Sequence, residues 1–212
     1  MPGFEKMELG EFSGLLASDA PAPGGGAAAA LAAVLAASLA GMVFALTTGK
    51  KHFAALSEDK KERIEAAAHA LPELTAEFYR LMEADVQAFG AVMEAYRLPK
   101  ATAAEAAERQ EQIHAAYRRA TAVPLELARR ASRLFDYLAV AVRHGNPNTI
   151  SDAAVGALFA LTAVEGAILN VKINLSGLAS PAGAAIRAEA EALLAAAREQ
   201  QAAIAVLAGE RM

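Results

Sequence analysis

The stretch "GGGAAAALAAVLAASLAGMVFALTTGKK", Gly24–Lys51, decides the fold. No charged residue lies between Asp19 and Lys50, and Ala27–Leu46 is long enough to span a bilayer. Most of the run, however, is alanine, which is barely lipophilic and is the best helix former. No Trp or Tyr marks either end. The rest of the chain reads as charged amphipathic helix, without a second comparable run. A helix apolar all round also suits the centre of a soluble bundle. The run is therefore read as a buried, alanine-rich central helix, not as a membrane span.

Composition agrees with that reading. The 212 residues are 55% hydrophobic and 21% charged, with few aromatics and no Trp. This describes one all-α domain over residues 1–212, a bundle of long helices with room for a sizeable core. Lys and Arg number 20 against 24 Asp and Glu, a formal charge of −4 that argues against a nucleic-acid partner. Cysteine is absent, so disulfides and thiolate chemistry are excluded. The start, Met1–Phe12, has no basic segment followed by an apolar one, and a cytoplasmic location is expected.

Working outward from the central helix, Glu5–Ala17 forms a short amphipathic candidate. Gly26 to about Thr47 is the apolar helix, closed by Gly49. Ser57 sits where a cap belongs for a helix running towards Tyr96, which Pro72 kinks or divides. Thr102 with Glu105 makes a capping box for the next helix, expected to pass Pro124 and reach about Val142. Thr149 or Ser151 caps a helix to about Leu175, and a break at Ser176–Gly183 precedes a terminal helix from about Ala182 to Leu207.

Several residues could carry chemistry. The glycines do not make a nucleotide loop, because Ala27 and Ala28 stand where Lys and Ser or Thr would be needed. Gly24, Gly25 and Gly26 instead place bare N–H groups at a helix N-terminus, suited to an anion or to close packing against another helix. Leu74, Phe78, Leu81, Asp85, Phe89, Val92 and Tyr96 share one helical face, apolar except for Asp85. A carboxyl buried there has a raised pKa, fitting a general acid or base, unless a cation or helix end satisfies it structurally. Asn170 and Asn174 lie one turn apart in an apolar segment and must be hydrogen-bonded, to neighbouring helices or to a ligand. Asp152 suits the first turn of its helix. Glu165 and Lys172 could pair or stand in solvent. Glu111 and His114 form half of a di-iron pattern without the other half, so no metal is expected.

The blocks "PAPGGGAAAALAAVLAASLAGMV", "LTTGKKHF", "EADVQAFGAVMEAYRLPK", "AVPLELA" and "GNPNTISDAAVGAL…GAILNVKINL", in this order, resemble the cyclodeaminase/cyclohydrolase domain of the formiminotransferase-cyclodeaminase family. The resemblance covers about Phe12 to Leu175, and no residues remain for a formiminotransferase domain. It implies a dimeric all-α enzyme acting on tetrahydrofolates, with Asp85 as the catalytic carboxylate. It also implies that Gly24–Gly26, Lys50, Lys51 and the helix holding Asp152, Asn170 and Asn174 surround the folate. The sequence departs from the common pattern at Ala27, where Ser is frequent, and at Val86, where Ala is usual.

The first expectation is thus a formiminotetrahydrofolate cyclodeaminase, making 5,10-methenyltetrahydrofolate and ammonia. The alternatives are hydrolysis of 5,10-methenyltetrahydrofolate on the same site, or a non-catalytic folate-binding helical dimer. No cofactor beyond the folate is required. Asp152, Asn170 and Asn174 are candidates for the pterin, and Lys50, Lys51 and Lys100 for the anionic glutamate tail.

Overall fold

The computed structural model describes residues 3–177 and 181–212, and among the described residues there is no strand. Eight helices follow in order: α1 (Leu9–Leu16), α2 (Gly25–Ala45), α3 (Lys51–Ala54), α4 (Glu58–Arg97), α5 (Ala103–Ser132), α6 (Leu134–His144), α7 (Ile150–Leu175) and α8 (Pro181–Gly209). The bundle of long helices read from the sequence is present. The expected break at Ser176–Gly183 falls partly on 178–180, outside the described residues.

α2 is the centre. It packs on α7 and α4, while α5 joins α4 and α7, and α8 covers α7 and α6. Its alanines explain the close contact. A Cβ placed on Gly166 would meet the Ala29 Cβ at 2.9 Å, and one on Gly156 would meet Leu39 at 3.4 Å. Small residues thus face small residues along two antiparallel helices, and Phe44, Val43, Ile168 and Val164 fill the space beside them. Gly49, with φ of 72°, ends this segment as expected.

α4 and α5 each run through their proline, Pro72 and Pro124, as one helix, as the sequence reading expected at Pro124 and left open at Pro72. Other readings differ. The helix expected to reach Val142 stops at Ser132, where Arg133 donates to the Arg130 carbonyl and α6 begins; neither Gly nor Pro announces this turn. A second apolar segment also exists, because Pro147–Leu175, like Gly25–Ala45, is long and apolar enough to cross a membrane. Its charges, Asp152, Glu165 and Lys172, are too widely spaced to break it.

α4 outruns the bundle. Its 40 residues pass the start of α2 near Asp85, and its last three turns pair with the start of α5. This arm has a small core of its own: Ala88, Val92 and Ala95 against Ile113, Ala116 and Ala120. Thr102 caps α5, accepting from the Glu105 N–H at 3.2 Å while the Glu105 carboxylate accepts from the Thr102 N–H at 2.9 Å.

Candidate functional site

Asp85 lies where α4 leaves the main core. Leu74, Phe78 and Met82 before it are buried, whereas Phe89 and Tyr96 beyond it are exposed. The apolar stripe therefore does not bury Asp85 on all sides; it delivers the carboxyl to the edge of the bundle. There it meets the first turn of α2. A Cβ on Gly26 would fall on the Asp85 carboxyl group, so only glycine lets the two approach. Gly25 has ordinary clearance, 3.6 Å to the Asn170 amide nitrogen.

No side chain caps α2 at Gly24, and the carboxyl beside Gly26 lies near the positive end of the α2 dipole. Among the described residues none donates a hydrogen bond to Asp85, and none forms an ion pair with it. Burial pushes its pKa above the ordinary aspartate value. An arginine partner for Asp85 is thereby removed from the structural explanation, and the α2 helix end is what stands beside the carboxyl.

A cavity of about 400 Å³ opens at this point. Asp85, the Gly24–Gly26 turn, Asn170 and Asn174 share its wall with Val86, Phe89, Tyr117 and Ile173. The size suits a small organic ligand. Both asparagines have their amide nitrogens committed. Asn170 Nδ2 donates to the Gly166 carbonyl at 2.8 Å, and Asn174 Nδ2 donates to the Ala120 carbonyl at 2.7 Å. Each is left with a carbonyl oxygen for further bonding. Asn174 has a structural duty as well. The Ala120 carbonyl would normally accept from residue 124, which is proline and has no N–H, so the Asn174 amide replaces the missing donor.

Tyr117 belongs to the site and was not singled out in the sequence. Its hydroxyl lies 3.4 Å from that of Tyr96, with the rings edge to face. The Tyr96 hydroxyl, burial and the Tyr96 charge, in that order, push the Tyr117 pKa up. Gly177 is required beside it, since a Cβ there would stand 2.6 Å from the Tyr117 ring.

The other expected residues are elsewhere. Lys50, Lys51 and Asp152 lie at the opposite end of α2 and α7; the 21 residues of α2 separate the two ends by about 30 Å. α7 runs antiparallel to α2, so Asn170 sits beside Gly25 while Asp152 sits near the C-terminus of α2. That far end is tied together by its own bonds. Asn146 donates through its N–H to Thr47 Oγ1 at 2.8 Å and through Nδ2 to the Leu46 carbonyl at 3.1 Å. His52 Nε2 donates to the His144 carbonyl at 3.2 Å. Burial pushes the His144 pKa down, with help from Lys60, Arg143, Arg211 and Arg63 around it. Lys100 is exposed at the tip of the arm, and Glu165 pairs with Arg198 of α8 at 2.7 Å, not with Lys172. His114 bonds Gln110 on an exposed face.

Fold and site define a class: an all-α enzyme whose pocket offers one unpaired, half-buried carboxyl at a helix N-terminus. The sequence profile of the family described as formiminotransferase-cyclodeaminase matches residues 8–192. A methenyltetrahydrofolate cyclohydrolase of Methylorubrum extorquens is 41% identical over 92% of this chain and 91% of its own. A formimidoyltransferase-cyclodeaminase of Gallus gallus is 36% identical over 83% of this chain, and the match covers 32% of that longer protein. The crystal structure of a formiminotetrahydrofolate cyclodeaminase from Thermotoga maritima superposes with a TM-score of 0.78 at 26% identity, covering 98% of this chain and 96% of that one. The chain belongs to the formiminotransferase-cyclodeaminase family.

Proposed function

We propose that this protein is a cytoplasmic homodimeric folate enzyme that opens or closes the one-carbon bridge between N5 and N10 of tetrahydrofolate, with Asp85 as its general acid and base. The observation that carries the proposal is the Asp85 carboxyl, unpaired and raised in pKa, at the wall of the cavity beside the α2 N-terminus. The hydrolytic reaction comes first, because the relative matched over nearly its whole length at 41% identity is a methenyltetrahydrofolate cyclohydrolase.

In that reaction water attacks the methenyl carbon while the ionised Asp85 takes its proton, giving a tetrahedral carbon. The bond from this carbon to N5 then breaks, Asp85 returns its proton to N5, and the remaining hydroxyl loses a proton as 10-formyltetrahydrofolate forms. A carboxyl with a pKa raised towards neutrality serves both half-steps. The Asn170 and Asn174 carbonyl oxygens accept from the N–H edge of the pterin. Phe89 and Tyr117 flank it and exclude water. No metal or cofactor takes part in this proposal.

The second reading is cyclodeamination, favoured by the likeness to the Thermotoga maritima cyclodeaminase. Here N10 attacks the formimino carbon on N5, Asp85 removes the N10 proton, and the tetrahedral carbon expels ammonia after Asp85 protonates it. The test follows near-UV absorbance of methenyltetrahydrofolate with purified protein. Accelerated loss of added methenyltetrahydrofolate supports hydrolysis, and its appearance from 5-formiminotetrahydrofolate supports deamination. Binding of a folate with no change in either cuvette would refute both reactions and leave a non-catalytic binder.

A further inference from the structure

The apolar stripe of α4 continues past Phe89 to Tyr96, two turns further on. Tyr96 is 46% exposed, lies outside the small core of the arm and does not line the cavity, yet it is held from two directions. Arg109 of α5 donates to the Tyr96 carbonyl through Nε at 3.3 Å and through Nη2 at 3.2 Å. The guanidinium carbon also stands 5.4 Å from the centroid of the Tyr96 ring. One arginine thus satisfies a carbonyl in the last turn of α4, which fixes the backbone, and lies over the ring, which fixes the side chain. The Tyr96 ring then meets Tyr117 edge to face, with centroids 6.4 Å apart and planes at 89°.

The arm has other means of staying together. Ala88, Val92 and Ala95 pack against Ile113, Ala116 and Ala120, and Thr102 caps α5. What the Arg109–Tyr96 contacts hold is Tyr117, a wall of the cavity whose ring is backed by Gly177.

We propose that Tyr96 and Arg109 are positioning residues for Tyr117, and that Tyr117 is the specificity-determining wall of the pocket, taking the aromatic ring that the substrate carries on N10. The identity of that ring rests on the folate reading above; the positioning of Tyr117 does not.

Distance supports the assignment. Asn170 lies beside Gly25 at the Asp85 end of the cavity, and Gly177 lies against Tyr117 at the other end. The seven residues from one to the other, nearly all in α7, span about 10 Å. Paired aromatic rings stand about 4.5–7 Å apart, so a ring packed on Tyr117 lies roughly 3–6 Å from the Asp85 end. With the one-carbon bridge at Asp85, the group bonded directly to N10 falls at that distance. The lining agrees in character. Phe89 and Val92 on α4 and Ile173 on α7 lie between the two ends, and among the described residues Asp85 is the only charged one in the wall. Such a wall suits an uncharged ring and not an anion.

The experiment uses the full chain and two probes in titration calorimetry. Tetrahydropteroate carries the ring on N10 without a glutamate; 6-methyltetrahydropterin has no such ring. Wild type is expected to bind the first about tenfold more tightly or better. Tyr117→Leu should weaken tetrahydropteroate about tenfold and 6-methyltetrahydropterin less than about twofold. Tyr96→Leu should weaken tetrahydropteroate about threefold or more, and should add nothing in a Tyr117→Leu background. Arg109→Gln follows it at about threefold. Tyr117→Phe keeps the ring and is expected within about twofold of wild type. For whichever folate is turned over, KM should rise by the same factors with kcat little changed, the mark of lost uniform binding.

Equal losses on both probes would show a merely structural role and overturn the proposal. Additive losses for Tyr96→Leu and Tyr117→Leu would overturn the positioning through Tyr117. Wild type that binds both probes equally while turning over a folate would overturn the aromatic wall and leave the proposed function standing. Wild type that shows the expected pattern of binding but acts on neither folate would sink the proposed reaction and leave the wall standing.

Discussion

Replacing Gly26 by alanine separates stability from activity. The added Cβ would occupy the space of the Asp85 carboxyl group, so one of them must move. Asp85 is the end of a flexible side chain, whereas Gly26 is held by buried α2, and the carboxyl is the group that yields. Clearing an added methyl requires a shift of about 1 Å, and misplacement on that scale costs on the order of 10²-fold in turnover. Stability moves little. Alanine gains up to about 1 kcal/mol over glycine in a helix, offsetting an overpacking cost of about 1–3 kcal/mol. The expected Tm change is within a few degrees, since 1 kcal/mol corresponds to about 2–4 °C for a chain of this size. Gly25→Ala is the matched control, because its Cβ has ordinary clearance from Asn170. Steady-state turnover and calorimetry on the three proteins make the comparison. Gly26→Ala with wild-type kcat would refute the contact between the α2 turn and Asp85. A collapse of Tm would refute the claim that Asp85 yields.

Three further outcomes follow. Asp85 has a raised pKa, so the folded state prefers its neutral form; that preference is fully present below the ordinary value of 3.8 and is lost as pH rises through the folded pKa. Asp85→Asn should therefore raise Tm relative to wild type at pH 8, with the gap closing towards pH 4 in a calorimetric series; a gap that widens on acidification contradicts the burial argument. Asn174→Ala should cost about 1–3 kcal/mol by orphaning the Ala120 carbonyl, and much less in a Pro124→Ala background, where residue 124 regains its N–H. Equal costs in both backgrounds, by denaturant titration, would contradict the replacement role. Gly177→Ala pushes a methyl into the Tyr117 ring and should reduce turnover while shifting tyrosine absorbance; unchanged values of both would show that Tyr117 has room.

Legibility in the sequence followed a physical divide. The α2 core and the one carboxylate on the apolar stripe of α4 were readable because each breaks a pattern: an uncharged alanine run, and one acid among apolar residues. Phe89, Tyr117 and Ile173 were not, because an aromatic or aliphatic residue at helical spacing looks the same whether it faces a core or a cavity. Nothing local shows that α4 leaves the bundle at Asp85; that depends on where α2 begins against it. The second apolar segment, 147–175, was hidden by three scattered charges that a helix places on its rim. Lys50, Lys51 and Asp152 show a different limit. A motif block groups residues by sequence, whereas a helix of 26 residues carries its two ends about 40 Å apart.

The central claim is that Asp85 moves the proton, and Asp85→Asn tests it most directly. The amide keeps the shape beside Gly26 and removes the titration. Turnover of methenyltetrahydrofolate or 5-formiminotetrahydrofolate, whichever the wild type uses, should fall by about 10²–10⁴-fold with helicity unchanged and Tm no lower at pH 8. Turnover within a few-fold of wild type would contradict it.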